Sequence, residues 1–403
     1  MLIIYRFAIN IIFFFSPIII LIRLFKKKED PIRWKEKLSI FTKKRAQGKL
    51  IWFHGASVGE ILSIIPLVKK LENNKRIKQI LITSNTLTSA KILNKIKLKK
   101  TTHQFFPIDT NYHSKKFLDY WRPSIAIFID SEIWPNMLTN IKKKKITLAL
   151  LNARITRKTF LRWKKVISNA KYLFQKFDIC FSASIRSKKY LKLLGAKNIK
   201  YFGNLKFTEI EKNKSYLTDD FKKKVLSKKI WCASSTHKGE EILCAQVHKK
   251  LKKKYKDLLT IIIPRHIERA KDIVNDLNKL NLKIHLHKSE KKIDPNTDIY
   301  LVDAYGMTKS FFKICNTVFL GGSIIKHGGQ NPIEPSRYGC KVLHGKNIWN
   351  FTEIYSLLKK NNVSVKINNV NQMSSEIDHI FTQKINFNHI KSKINILGNK
   401  ILK

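Results

Sequence analysis

From Lys49 onward the chain alternates short, nearly unbroken apolar runs with longer amphipathic stretches, joined by small and polar residues. Apolar runs of strand length are what strands buried on both faces look like, and their alternation with helical stretches predicts parallel α/β layers. The predicted strands are residues 50–54, 80–83, 125–129, 146–151 and 178–181. After a polar, charged stretch the pattern restarts at 230–233, 259–263, 299–302, 317–320 and 341–343. A break near 205–228 in a chain of 403 residues predicts two domains, 26–215 and 216–403, each able to bury its own core. Two such sheets, each presenting the carboxyl ends of its strands, predict ligands in a shared cleft. The tail from Phe387 to Lys403, with Ile390, Ile394 and Ile396 at roughly helical spacing, is expected to pack back across the first domain.

The first 25 residues differ in kind. Between Phe7 and Ile22 only Asn10, Ser16 and Pro17 interrupt an apolar run, and Arg23 and Lys26-Lys27-Lys28 follow it. The run is shorter than the roughly 20 residues of a comfortable membrane span, and no small-residue cleavage site follows. Residues 1–25 are therefore expected to be an uncleaved signal-anchor or a shallow insertion. The positive charge behind it would hold the domains on the cytoplasmic side.

Charge adds less than its size suggests. The balance of 80 Lys+Arg against 28 Asp+Glu gives +52, which suits nucleic acid, an anionic membrane surface or a phosphorylated substrate. Much of the surplus is lysine in the company of abundant Ile and Asn, the mark of compositional drift, and runs such as 142–145 and 222–224 read as solvated faces. The chain carries no recognisable nucleic-acid module and its aromatic residues are not interleaved with the basic runs, which argues against nucleic acid. Five scattered cysteines without a C-x-x-C pair suggest neither a zinc site nor a disulfide framework, and fit a reducing compartment.

Candidate chemistry sits where predicted strands end. The segment Leu50-Ile-Trp-Phe-His54-Gly-Ala-Ser57-Val-Gly-Glu60 runs from a strand through small residues into an apolar helix, placing Glu60 in the first helical turn. Ser57-x-x-Glu60 is also a capping box, which by its spacing alone explains Glu60 as a partner of the Ser57 backbone N–H. Asp130 and Glu132 follow the apolar strand at 125–129, where burial raises a carboxyl's pKa toward the range useful for proton transfer. Asn152-Ala-Arg154 and Gly203-Asn-Leu-Lys206 add cations. In the second half, Arg265 directly follows a buried strand, where a guanidinium can grip a phosphate. Gly321-Gly322-Ser323 and His327-Gly328-Gly329-Gln330 supply glycine loops. Asn331 reads as an N-cap, Pro332 as the first helical residue and Glu334 as the capping partner, a helix start that favours anions. Ser234-Ser235-Thr236-His237 is a further loop, open to either a hydroxyl-donor or a capping reading.

Taken together these segments resemble the 3-deoxy-D-manno-octulosonic acid (Kdo) transferases of lipopolysaccharide synthesis. The matching pieces, in the family's order, are His54 to Glu60, Ser131-Glu-Ile-Trp-Pro-Asn136, Asn152-Ala-Arg154, Gly203-Asn-Leu-Lys206, Ala233-Ser-Ser-Thr-His237, Pro264-Arg-His266 and Gly328-Gly-Gln-Asn-Pro-Ile-Glu334. The resemblance implies a GT-B fold: α/β, two Rossmann-like domains facing a central cleft, with an N-terminal hydrophobic anchor helix. It implies inverting, metal-independent transfer of Kdo from CMP-Kdo to the lipid A precursor lipid IVA, with no cofactor, at the cytoplasmic face of the bacterial inner membrane and with no nucleic-acid partner. Glu60 matches the family's proton acceptor, and Glu132 and Lys206 its transition-state stabilisers. CMP contacts map onto Pro264, Arg265, Tyr305, Gly306, Met307, Asn331, Pro332, Ile333 and Glu334. Two departures stand out: Ala304-Tyr305-Gly306-Met307 follows Asp303 where the family reads Thr, a hydrophobic residue, Gly and Glu, and Gln330 stands where His is frequent. The series of motifs outweighs the capping reading of Glu60. Another GT-B enzyme, a UDP-sugar transferase or a nucleotide-sugar epimerase, is the nearest rival; the anchor and Ser-Glu-Ile-Trp-Pro-Asn speak against it.

Overall fold

A computed structural model describes residues 2–208, 217–289, 293–383 and 386–402. The chain divides into two compact units, Met1–Ile210 with Gly398–Lys403, and Glu211–Leu397. The expected boundary at 215/216 lies outside the described residues.

The first unit is built on seven parallel strands: β1 (Lys49–His54), β2 (Ile77–Ser84), β3 (Thr101–Phe105), β4 (Ile125–Ile129), β5 (Thr147–Ala153), β6 (Ile179–Ser182) and β7 (Ile199–Tyr201). Their order, β3-β2-β1-β4-β5-β6-β7, reverses direction at β1. The chain first winds outward from β1 to β3 and then returns to lay β4 on the other side of β1. The loops leaving β1 and β4 therefore part, and the crevice between them is where open α/β sheets bind ligands. Helices on both faces bury the sheet: Trp52, Phe117 and Phe128 pack on one side, Phe53, Ile61 and Ile82 on the other.

The second unit repeats the plan with β8 (Lys229–Thr236), β9 (Leu258–Pro264), β10 (Ile284–Leu286), β11 (Ile299–Leu301), β12 (Thr317–Leu320), β13 (Lys341–His344) and β14 (Ser364–Lys366). The order β10-β11-β9-β8-β12-β13-β14 puts its switch point between β8 and β12. All ten expected strands are present. The helix Phe387–Leu402 is present as well.

The apolar N-terminus forms two helices, Leu2–Phe14 and Ser16–Phe25, meeting at a 50° bend. The single expected anchor helix is thus broken, and Pro17 gives the reason: it has no N–H to continue the ladder and its ring crowds the carbonyl one turn back. Among the described residues no single helix is long and apolar enough to cross a membrane; the bent pair meets the length and composition together. The first helix is fastened to the rest of its unit by polar bonds. Tyr5 donates to Asp109 Oδ2 at 2.8 Å and Arg6 Nε to Asn136 Oδ1 at 2.9 Å.

Asp109 is the centre of that attachment. Its carboxylate also accepts from the backbone N–H of Asn136 and Met137, at 3.0 and 2.8 Å, so it caps the helix Pro135–Lys143 from another part of the chain. Burial raises its pKa from the usual carboxylate range to about 7, against the bonds from Tyr5 and the two amides. Several cations in and after the apolar helices are committed inward. Arg33 is committed inward, bidentate on the fully buried Glu36 at 2.8 and 2.9 Å and bonded to the His103 carbonyl at 2.8 Å. Arg23 and Lys37 likewise hold the buried Glu29. A charged arginine beside a buried glutamate is the cheaper arrangement, because either alone carries a large desolvation penalty.

Removing the Tyr5 hydroxyl tests the attachment. Tyr5→Phe is expected to cost about 1 kcal/mol of helix docking, seen as roughly fivefold faster amide hydrogen exchange within residues 2–14 and no change in the strands of the first sheet.

Candidate active site

At the carboxyl end of β1 the chain turns through Gly55, Ala56 and Ser57 into the helix Val58–Glu72. A Cβ at Gly55 would lie 3.2 Å from the Glu60 Cβ and 3.3 Å from Ile61 Cδ1, so the small residue lets the loop fold back tightly over the helix start. Glu60 sits there half-buried. Its Oε2 accepts from the Ala56 N–H at 2.8 Å and its Oε1 from the Ser57 hydroxyl at 2.6 Å. The expected capping box is therefore altered: Ser57 is the N-cap, with a long 3.4 Å bond from the Glu60 N–H, but the carboxylate reaches the Ala56 amide. Burial raises the Glu60 pKa, the Ser57 hydroxyl opposes it, and the charges of Glu132 and Asp130 raise it further.

Glu132, in the turn after β4, lies against the end of β1. Its Oε2 accepts from the Trp134 indole N–H at 2.8 Å and stands 3.4 Å from His54 Nε2. His54 is fully buried, and burial lowers its pKa against the hydrogen bond and charge of Glu132. On its other side His54 Nδ1 lies 3.0 Å from Thr83 Oγ1, which accepts from the Trp52 indole N–H at 2.9 Å and donates to the Phe53 carbonyl at 3.4 Å. Burial alone would raise the Glu132 pKa, but the His54 and Trp134 donors outweigh it and hold the group below the usual range. Two neighbouring glutamates are thus driven apart: Glu60 upward and Glu132 downward.

Between them lies Asp130, in the left-handed region at φ 60, as is Asn152 in β5 at φ 56. Asn152 sits where the β5–β6 register slips. Its side chain donates to Asp130 Oδ1 at 3.2 Å and accepts from the Leu205 N–H at 2.9 Å, tying the turn after β4 to the short helix Leu205–Thr208. Lys206 is carried in that helix, close enough for its charge, with that of Arg154, to offset part of the rise that burial imposes on the Asp130 carboxyl. Glu60, Glu132 and Lys206 are therefore brought to one sheet end, with Asp130 as the group they share.

The nine expected nucleotide-contact residues all lie in the second unit. Arg265 is exposed just past β9, its N–H held by the Thr236 carbonyl at 3.0 Å. Tyr305 is exposed and donates to Glu268 at 2.6 Å, and Gly306 takes φ 83, a turn that favours glycine. Pro264, Met307, Pro332 and Ile333 turn their side chains into the core, leaving only backbone groups to offer. The helix start is displaced by one residue: Pro332 precedes the single turn Ile333–Arg337, and Asn331 Oδ1 accepts from Ile333 N–H at 3.2 Å. Glu334 does not cap; it pairs with Lys309 at 3.3 Å and so joins this loop to the Tyr305–Met307 turn.

Two features of the second unit were not expected. The Gly321-Gly322-Ser323 loop, read from sequence as a glycine loop, is filled by the buried Glu240, which accepts from the N–H groups of His237, Gly322, Ser323 and Ile324 at 3.0, 2.7, 3.1 and 3.0 Å. A side chain at Gly321 would run into the Ser235 carbonyl. At the end of β8, the buried Ser234 Oγ, Thr236 Oγ1 and His237 Nε2 have no hydrogen-bond partner among the described residues. The His237 ring lies 4.3 Å from that of His327 and 6.1 Å from that of His266. Burial and the His327 charge lower the His237 pKa. The helix Glu240–Lys252 begins after Gly239 with no side-chain cap, so these hydroxyls are not capping groups. His54 and Asp109 are the residues sequence reasoning passed over; a histidine closing a fully apolar strand was the available signal for the first.

A family model described as 3-deoxy-D-manno-octulosonic-acid transferase (kdotransferase) matches residues 32–209. The chain is 32% identical over 366 residues to the 3-deoxy-D-manno-octulosonic acid transferase of Rickettsia bellii, covering 90% of this chain and 87% of that one. It is 31% identical over 340 residues to a probable mitochondrial 3-deoxy-D-manno-octulosonic acid transferase of Arabidopsis thaliana, covering 82% and 76%. The UDP-GlcNAc 2-epimerase of Neisseria meningitidis shares the fold, with a TM-score of 0.59 at 14% identity over 88% of this chain and 97% of that one. Two doubly wound parallel units with such a neighbour make the architecture GT-B in type.

The Asn152 bridge predicts a graded pair of variants. Asn152→Ala loses both bonds and keeps a Cβ at positive φ, whereas Asn152→Gly loses the bonds but relieves the backbone. The alanine variant is expected to lose about 3 kcal/mol and the glycine variant about 1 kcal/mol less, read from the urea midpoint of the first unit.

Proposed function

The chain belongs to the 3-deoxy-D-manno-octulosonic acid transferase family of glycosyltransferases, and on that premise we propose that it moves Kdo from CMP-Kdo to lipid IVA with inversion at the anomeric carbon. The reaction needs a base for an acceptor hydroxyl that is a poor nucleophile near neutral pH. Glu60 carries the reading. It is half-buried, raised by burial and by the charges of Glu132 and Asp130, and held by a single amide and a single hydroxyl. A raised carboxylate is a better proton acceptor.

In the proposed step the acceptor oxygen attacks the anomeric carbon of Kdo while its proton passes to Glu60. The bond between that carbon and the CMP phosphate oxygen breaks, and CMP leaves with the electron pair. Glu132, held by the Trp134 indole, steadies the positive charge that develops at the sugar, and Lys206 meets the negative charge that builds on the leaving phosphate. Such groups act without reorganising, which suits a metal-independent reaction.

Donor recognition is assigned to the second unit. Arg265 supplies an exposed guanidinium for the phosphate, and Ser234 Oγ, Thr236 Oγ1 and His237 Nε2 are buried polar atoms without a hydrogen-bond partner among the described residues. The missing acid at Met307 leaves that turn to its backbone. The apolar helix pair, with Arg23 and Lys26-Lys27-Lys28 behind it, supports a position at the cytoplasmic face of the inner membrane.

Mass spectrometry of lipid IVA incubated with CMP-Kdo tests the assignment. Glu60→Gln is expected to keep the fold and CMP-Kdo binding while turnover falls about a hundred- to ten-thousandfold; near-normal product would remove Glu60 from the role. The pH profile gives a second check. Because the Ser57 hydroxyl lowers the Glu60 pKa, Ser57→Ala raises it, and the acid limb of kcat/KM is expected to move to higher pH with the plateau largely retained.

A further inference from the structure

Beside the Glu132 loop lies a cavity of about 170 Å3, walled almost wholly by carbon. Leu2 and Tyr5 of the first helix form one wall, Ile133 and Pro135 another, and Trp163 and Leu173 the rest. Ile133 and Pro135 flank Trp134, whose indole holds Glu132, so the slot and the site share one loop. Asn169 and the partly exposed Tyr172 complete its lining.

Three observations define the occupant. The slot is apolar and has room for several methylene groups. The helix that walls it turns Ile3, Ile4, Phe7 and Phe14 outward, 69% or more exposed, a face suited to hydrocarbon and unsuited to water. Its rim is cationic: the Lys176 ammonium stands 3.8 Å over the Tyr172 ring, and the Arg6 charge reaches the Tyr172 hydroxyl. Apolar depth with a cationic rim complements a chain that ends in an acidic headgroup.

We infer that this slot is a subsite for one alkyl chain of an anionic lipid, which under the transfer proposed above is an acyl chain of the acceptor itself. It rests on that reading for the identity of the lipid, not for the chemistry of the chain. Seating a chain against Ile133 and Pro135 would register the acceptor's sugar hydroxyl against the loop that carries Glu132, so part of the binding energy would serve orientation.

The probe is a series of alkyl phosphates from butyl to dodecyl, below their micellar concentrations, titrated calorimetrically into the full chain. Affinity is expected to rise about fourfold per added methylene until the slot is full. It is expected to stay flat in Asn169→Phe, which puts a ring into the slot from its lining, and to follow the native chain in Asn169→Ala. Absence of chain-length dependence in the native chain, or the same dependence in Asn169→Phe, overturns the subsite. With transfer as the readout, Asn169→Phe should raise KM for acylated lipid IVA about tenfold and leave kcat and KM for its deacylated form unchanged. Chain-length dependence without Kdo product keeps the slot and removes the acceptor assignment. Product formed by the native chain with equal KM for both acceptors keeps the transfer and removes the slot.

Discussion

Both sheets are wholly parallel, and that constraint organises the rest. Every strand then ends on the same side, so loops that carry chemistry gather at one edge, and only at the switch of strand order do two of them part to leave a crevice. In the first unit the switch lies between β1 and β4, and Glu60 and Glu132 sit on the two parting loops. In the second it lies between β8 and β12, where Ser234, Thr236 and His237 meet the Gly321-Gly322-Ser323 loop.

The same constraint explains which strands the sequence revealed. The ten expected strands are all interior, covered by helices on both faces and therefore apolar throughout. The four others, β3, β7, β10 and β14, are the edges of the two sheets. Thr101-Thr102-His103-Gln104 and Ile199-Lys200-Tyr201 are too polar or too short to stand out, because an edge strand is half solvated and is kept short to avoid pairing with other chains. The site divides in a similar way. Glu60 and Glu132 were legible because a carboxylate after an apolar strand breaks the pattern. Asp109 was not: it lies in a loop without periodicity, and its work is done through Tyr5 and Asn136, far from it in sequence. The inward pairing of Arg33 was hidden for the converse reason, since a basic residue in a basic stretch gives no sign of the buried Glu36 beneath it.

Buried carboxylates are plentiful here, and their partners separate structural from chemical ones. Glu240 accepts four backbone N–H bonds and Glu36 a bidentate arginine, a threonine and an amide, so their negative charge is spent on holding loops. Protonating either would strand several donors, each costing about 1–3 kcal/mol. Glu60 accepts one amide and one hydroxyl and faces two further carboxylates. A proton there relieves repulsion and strands little. The capping geometry that first offered a bland account of Glu60 is thus what makes it suitable: it fixes the group in the first helical turn without spending its charge.

The two units also meet a common backbone problem alike. Asn152 in β5 and Ser235 in β8 both take left-handed conformations, each at a register slip near the carboxyl end of its strand. Such a slip turns the following residues off the alternation of the pleat, which re-aims side chains that would otherwise alternate between buried faces. In β5 it frees Asn152 to bridge Asp130 and Leu205; in β8 it brings Thr236 and His237 to the crevice while Gly321 makes room for the Ser235 carbonyl. A left-handed non-glycine residue is held there against its own preference. At Asn152 the two side-chain bonds supply that hold, so the strain and the polar bridge are one device, and the loop bearing Lys206 is set by it.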